Sequence, residues 1–464
     1  MAAPWPEAPG RNVQQELMLT TGNSSGIPDN PATPLAETSP VSGAGRALRQ
    51  MRAMVITNSL SAGAYQDQAT LNGSVYGFGS GAIHQLNAML GGAFVFDDTG
   101  DATNVLGTGK DLVQGFYCYG GAPSGSLTGS VLDFCLTAYR PEVVFGRLFE
   151  NDVGGTTLAY SYAALVEFVS KVKAAGALPI VITCVPRPFF TSAAYRTHFD
   201  ELFDLCYQYC AANGAICLDS STQYLDHTNT YPVPLSGYAD TGGIGGHPNP
   251  RGNLCLAKSW FAQLSGLINR VQRDVPGRMG GNQLLTVVTN PTMTGTGGTP
   301  AGAADGWTAS AGAGSTITYL TTTSGLRTVP RFQVAFSGSA GGNTFMSYRQ
   351  PTASTGFAVG DKIQFELDWE LMAAPVGLKS VSAYIDMGGG KLLYATFMDS
   401  SVAGWNDQYP SGRMLTRSPI YAIPAGTTTL RMWIYVYVEN AVTTGSVDIV
   451  FHSCTVRKLP LLTA

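Results

Sequence analysis

Hydrophobic periodicity changes character once along this chain, at PGRMGGNQ (276–283), and that change limits what the chain can fold into. Before it, from about 52 to 276, short apolar runs rich in β-branched residues alternate with longer amphipathic stretches. AMVITNS (53–59), EVVFGRLF (142–149), LPIVITC (178–184) and AICLD (215–219) read as buried strands. LAYSYAALVEFVSKVKAAG and AAYRTHFDELFDLCYQYCAANG read as helices, each closed by a glycine. A last helix follows Pro250, with apolar Leu254, Ala257, Phe261, Leu264, Ile268 and Val271 at three-and-four spacing. Strands separated by helices of this length imply a parallel sheet with helices on both faces. In such sheets the ligand crevice lies at the carboxyl ends of the strands.

Beyond the break, helical periodicity vanishes. DKIQFELDWEL alternates strictly, with Ile363, Phe365, Leu367, Trp369 and Leu371 on one face and Gln364, Glu366, Asp368 and Glu370 on the other. TLRMWIYVYVEN alternates as well, and SVDIVFHSCTV closes the region as a strand. Short strands separated by Gly, Thr and Pro turns argue for a β-sandwich. The expected organisation is an extended arm over 1–48, an α/β domain over 49–276, a linker over 277–284 and a β-sandwich over 285–464. The arm is rich in Pro, Ser, Thr, Gly and Asn without sustained periodicity, and neighbouring chains are expected to hold it.

Composition narrows the partners. Only 12% of the 464 residues are charged, against about 25% in an average soluble protein. Glycine is abundant, a profile that suits extracellular or virion-type β structure. The net charge of -4 contains no basic concentration, so neither nucleic acid nor an anionic membrane is an expected partner. Eight cysteines in a chain this long are not a disulfide framework, and no spacing among them suggests zinc. Cys206 and Cys210, four apart on a helix, are expected to pack as small apolar groups. No cofactor and no metal is expected. MAAPWPEAPGRNVQQELML lacks the basic start and apolar run of a signal peptide. The expectation is a protein made in the cytoplasm without export by the general route, acting outside the producing cell after lysis or inside an assembly.

The chemistry gathers at strand ends. VITNSLSAGAY (55–65) is an apolar run that stops at Ser59, where a turn can hold a nucleophile proud of the sheet edge. EVVFGRLF runs into Glu150, Asn151 and Asp152, which places the Asn151 amide at the same edge. There it can donate to an oxyanion beside the Ser59 backbone amide. In YCYGGAPSGSL, Gly120 and Gly121 can bring a further backbone amide close. His247, in GGHPNPRGN before the last helix, is the candidate base; His84, His198, His227 and His452 lack such a setting. Asp152 is expected to support the site through hydrogen bonds.

These four patches, in this order, resemble the SGNH (GDSL) hydrolase superfamily over about 225 residues. TNSLSAG matches its nucleophile block, the 120–125 loop its glycine block, Phe149 to Asp152 its Gly-x-Asn-Asp block, and His247, Pro248 and Asn249 its histidine block. The resemblance implies a three-layer, flavodoxin-like α/β fold and a serine esterase. Ser59 would be the nucleophile and His247 the base, with Ser59, Gly120 or Gly121, and Asn151 holding the oxyanion. The sequence departs from the pattern at Asn58, where the family has Asp, at Phe149, and at Ile244, where an Asp three before the histidine is usual. Asp240 is the first candidate to orient His247; a backbone carbonyl, as in family members with a Ser and His dyad, and Asp226 are the others. The β region loosely resembles jelly-roll carbohydrate-binding modules. Trp433, Tyr435 and Tyr437 form one face of a strand there, available to stack on sugar rings or to pack against a second sheet or a subunit.

Together these features suggest a phage tail or other virion protein that deacetylates host surface polysaccharide. It would be a homo-oligomer, a trimer being one option, or would bind other virion proteins through its arm. The alternatives are an inactive receptor-binding or structural virion protein on the same fold, and a free bacterial carbohydrate esterase.

Overall fold

The computed structural model describes residues 50–58, 81–96, 101–102, 110–239, 246–268, 283–284, 287–338, 344–388, 392–397, 412–439 and 442–459. The arm expected over 1–48 lies outside these residues. Within Met1–Tyr65 and Ala93–Val271 the described residues form one compact unit, and within Gln66–Gly92 and Gln272–Ala464 they form a second.

The first unit is built on a sheet containing β1 (Met51–Asn58), β2 (Phe94–Phe96), β3 (Asp101–Ala102), β4 (Lys110–Val113), β5 (Phe116–Tyr119), β6 (Val143–Arg147), β7 (Leu178–Ile182) and β8 (Ile216–Leu218). Its order is β3-β4-β5-β1-β6-β7-β8, with β2 also paired to β1. From β5 to β8 every pairing is parallel, as the strand and helix alternation requires. At the other edge β3, β4 and β5 pair antiparallel, a hairpin feature the sequence reading did not contain.

Helices return the chain between strands: α2 (Ser124–Thr128), α3 (Ser130–Tyr139), α4 (Leu158–Ala174), α5 (Ala193–Asn213) and α6 (Pro250–Leu264), where α1 (Ala82–Met89) precedes them in the chain. Thr157 caps α4 and Ser192 caps α5 by accepting from the amides of Tyr160 and Tyr195. Gly214, at φ 65°, ends α5 in the left-handed conformation that an L side chain resists. Met54, Ile56, Val144 and Val181 of the sheet pack with Leu132, Leu165, Phe168, Val172, Leu202, Cys206 and Cys210 of the helices. Gly146 lets α4 approach β6, since a Cβ there would lie 2.6 Å from the Phe168 ring.

The second unit is two antiparallel sheets. One runs β10 (Thr308–Ala311), β13 (Thr344–Arg349), β19 (Arg431–Val438), β15 (Leu378–Asp386) and β16 (Leu392–Phe397). The other runs β11 (Ser315–Ser324), β12 (Arg327–Ser337), β20 (Thr444–Lys458), β14 (Lys362–Leu371) and β17 (Gly412–Arg417), with β18 (Tyr421–Ala422) on β14 and β9 (Gln283–Leu284) on β20. Apolar side chains from both sheets meet in the middle, as where Tyr348 lies 5.2 Å from Phe332 and 5.6 Å from Phe451. Because Gln283 and Leu284 pair with Lys458 and Arg457, the linker expected over 277–284 ends earlier than the sequence suggested.

Two features of this unit go beyond the sequence reading, and the first corrects it. Helix α1, expected in the α/β domain with the rest of 49–276, belongs here: it packs on β17, and Arg417 Nη2 donates to the Gly92 carbonyl. The polar face of β14 is also not a solvent face. Glu366 and Asp368 are buried, Glu366 between Arg417 and Arg457 and Asp368 against Arg413, while Glu370 meets His452 at 3.0 Å. Alternation marked the two faces correctly, but β17 and β20 bring cations to the polar one and α1 covers it at β17.

Candidate active site

The described part of the site is built from the carboxyl end of β1, the loops after β5, β6 and β7, and the segment after β8 that carries His247. Thr57 pairs with Cys118 on one side and Arg147 on the other, so the ends of β1, β5 and β6 stand level. Asn58, the last residue of β1, is buried and donates from Nδ2 to Glu150 Oε2 at 2.7 Å; Arg147 Nε donates to Glu150 Oε1 at 2.7 Å. This explains the departure at position 58. An aspartate there would set a second carboxylate against Glu150, whereas the amide supplies the donor that Glu150 needs. Ser59, the next residue in the chain, and Asp240 and Ile244 lie outside the described residues.

After β5, Tyr119 to Ala122 form a tight turn closed by the Ala122 amide on the Tyr119 carbonyl, at 3.2 Å. Gly121 occupies its positive-φ corner at 71°, and among the described residues no atom lies within 4 Å of where a Cβ would stand on Gly120 or Gly121.

After β6, residues 149–156 form a turn and not the cap of α4, which Thr157 provides. Buried Asp152 accepts from the Ser124 amide at 2.9 Å, from Ser124 Oγ, and from Ser161 Oγ at 2.6 Å, tying this turn to α2 and α4. Burial raises its carboxyl above the ordinary value, and the two serines offset part of that. The supporting role expected for Asp152 is what these bonds describe. Phe149, where the family pattern has glycine, is fully buried in the main cluster. Asn151 is half-buried: Nδ2 donates to the Ala122 carbonyl at 3.0 Å, and Oδ1 accepts from Arg187 Nη1 at 3.2 Å.

His247 reaches the same edge. Gly246 turns at φ 81°, where a Cβ would stand 2.6 Å from Pro188, so this loop lies tightly on the one after β7. Two residues on, Asn249 caps α6 by accepting from the Gly252 amide at 3.0 Å, with Pro250 in the first turn. The histidine is thus fixed just ahead of a capped helix. It is 6% exposed, and its pKa is lowered to about 4 by burial first, then by the charges of Arg187 and Arg147. Asp226 spends its carboxylate on the amide and hydroxyl of Thr228.

The sequence reading missed Arg147 and Arg187, which are 2% and 8% exposed. Their signal was available, since an arginine inside EVVFGRLF and another in VPRPFF interrupt buried runs where a charge must be paired. Burial lowers the Arg187 pKa, with Glu150 acting against that, and its guanidinium stacks 4.3 Å from the Phe189 ring centroid.

In the second unit, Trp433, Tyr435 and Tyr437 do occupy one partly exposed face of β19 while Met432, Ile434, Val436 and Val438 are buried. The rings stack on one another, with centroids 5.6 Å apart for Trp433 and Tyr435 and 5.5 Å for Tyr435 and Tyr437. Tyr384 joins the stack, and Arg349 and Arg431 flank Trp433.

No protein-family model matches the chain, and no curated protein matches it. Among solved structures it is similar to a lipolytic protein of the G-D-S-L family from Desulfitobacterium hafniense DCB-2, at 14% identity and TM-score 0.33, over 46% of this chain and 100% of that one. It is similar to an acetyl-xylooligosaccharide esterase from Geobacillus Stearmophilus, at 16% identity and TM-score 0.33, over 46% of this chain and 94% of that one. A carbohydrate-binding module of the β-sandwich superfamily is similar at 13% identity and TM-score 0.23, over 32% of this chain and 56% of that one.

Proposed function

We propose that this protein is a serine esterase that removes acetyl or other short acyl groups from a polysaccharide. The observation that carries the reading is the convergence, at one sheet edge, of the Asn151 amide, the turn at Gly120 and Gly121, and the buried His247. His247, held uncharged, takes the proton of Ser59, which directly follows the end of β1. The Ser59 oxygen attacks the ester carbonyl, and the oxyanion is held by the Asn151 amide and by backbone amides of Ser59 and of Gly120 or Gly121. His247 returns the proton to the departing sugar hydroxyl, and water then releases the acid by the same route. Asp240 is the proposed partner that orients His247.

The aromatic face of β19 is the proposed contact for the sugar chain. Because its rings cover one another's faces, it would offer ring edges, tyrosine hydroxyls and the guanidinium groups of Arg349 and Arg431 more than flat stacking platforms. The proposed setting is a virion tail protein, assembled as a homo-oligomer or with other virion proteins through the arm; a monomer mass in solution would count against it.

The reading is tested by incubating the protein and Ser59→Ala with p-nitrophenyl acetate and with acetylated polysaccharide. Turnover is expected from the first and only background from the second. Equal background release from both would sink the esterase and favour an inactive, receptor-binding role. Trp433→Ala should raise KM for the polysaccharide and leave that for p-nitrophenyl acetate unchanged.

A further inference from the structure

Asn151 is an oxyanion donor only if its amide nitrogen, and not its oxygen, faces the site. The two ends of a side-chain amide have nearly the same shape, so hydrogen-bond partners decide the orientation. Here both partners decide it the same way. The Ala122 carbonyl can only accept, and it takes Nδ2; the Arg187 guanidinium can only donate, and it takes Oδ1. Arg187 also makes that amide a better donor, because a cation bonded to the oxygen draws electron density from the nitrogen. Its own position is set by stacking on Phe189, within the loop on which Gly246 is pressed. The same guanidinium acts on His247, one step further along the edge.

We propose that Arg187 is a positioning residue of this site: it fixes and polarises the Asn151 amide as an oxyanion donor and sets the charge environment of His247. The proposal rests on the esterase reading, and it goes beyond the four sequence patches, none of which contains position 187. The charged groups concerned are Arg187 from the loop after β7, and Arg147 with its partner Glu150 from the end of β6. On the histidine's own element Arg251 turns over the Tyr238 ring. Of the two cations that act on the imidazole, Arg187 acts the more strongly, so its removal should be felt most there. The imidazole then remains a neutral base into acid, and the same cation opposes the imidazolium formed during acyl transfer while favouring the oxyanion.

The test compares wild type, Arg187→Gln, Asn151→Ala and the double variant on p-nitrophenyl acetate across pH. Asn151→Ala is expected to lose about 100- to 1000-fold in kcat. Arg187→Gln is expected to lose about 10-fold or more in kcat with KM nearly unchanged, and to add little in the Asn151→Ala background. Its acid limb of kcat/KM should move upward by about one pH unit, because the imidazole protonates more easily without the cation. Arg187→Lys keeps the charge and should return the limb toward its original pH; it also carries the measurement if the glutamine variant does not fold. Additive losses with an unmoved limb would overturn the proposal, since a merely structural role lowers the amount of folded protein and leaves both unchanged. Titration of the His247 imidazole by NMR in wild type and Arg187→Gln decides the electrostatic part without any turnover. If wild type neither turns over ester nor labels at Ser59 with a fluorophosphonate, the esterase reading fails. An imidazole whose titration does not move between the two proteins then overturns this proposal separately.

Discussion

Arginines with little exposure are bonded in two different ways, one shown by the β-sandwich and the other by Arg187 of the α/β unit. In the β-sandwich they answer carboxylates: Arg417 and Arg457 close on Glu366, and Arg413 grips Asp368 with both Nε and Nη2. At the sheet edge of the α/β unit, Arg187 gives a hydrogen bond to a neutral amide and lies within electrostatic reach of a histidine. The first arrangement cancels charge and holds strands in register. The second sets a cation, itself under the influence of Glu150, beside an amide and an imidazole. A buried ion does not by itself mark a site; what it is bonded to separates scaffold from chemistry.

Breaking the scaffold side should give the largest effect. Glu366→Gln leaves the buried Arg457 and half-buried Arg417 guanidinium groups sharing a neutral partner and is expected to cost about 3–5 kcal/mol in denaturant unfolding. Turnover per folded molecule should not change; a parallel loss of kcat would blur the contrast between the units. Acid should come next, because each unit holds a histidine whose pKa desolvation lowers: to about 4 for buried His247 and to about 3 for half-buried His84 on α1. The unfolded chain binds these protons near pH 6.5 and the folded chain does not. Stability is therefore expected to fall as pH drops from about 6.5 toward 4, with Asp152, whose pKa is raised, pulling weakly the other way. Thermal melts across that window, with His247→Gln and His84→Gln as controls, should show each variant flattening the slope.

Asn58→Asp sharpens the site side. It sets a carboxylate against Glu150, so one of the two must hold a proton. The expected cost, on the order of 1–3 kcal/mol, should appear as pH rises above the ordinary carboxylate range, making Tm fall further at pH 8 than at pH 5. The smallest effect is expected at Arg196 and Asp200, an exposed pair on α5. Arg196→Ala should change stability by less than about 0.5 kcal/mol.

Periodicity was enough to locate β1, β6, β7 and β8, though not β2 or β5, and the ends of α4 and α5, because spacing and closing glycines are local signals. Asn151 and His247 were legible for a similar reason, each standing where a strand ends or a capped helix begins. The partners were not. Nothing in DKIQFELDWEL tells that arginines from 413, 417 and 457 will meet its acidic face. Nothing in VPRPFF tells that its arginine will hold Asn151, 36 positions earlier. Such pairings depend on which strands become neighbours, which one residue pattern does not carry. The placement of α1 was hidden likewise, since an amphipathic helix shows that it needs cover and not which sheet provides it.

Helix α1 also sets a timetable for synthesis. Gly92 and Arg417 are 325 positions apart, so at about 5–20 residues per second α1 leaves the ribosome on the order of tens of seconds before β17 exists to receive it. During that wait Ile83, Leu86 and Met89, buried in the finished protein, have no β17 to cover them. The nascent chain must shelter this helix through the whole of the α/β unit's synthesis, a period in which it is open to chaperones and to misassembly.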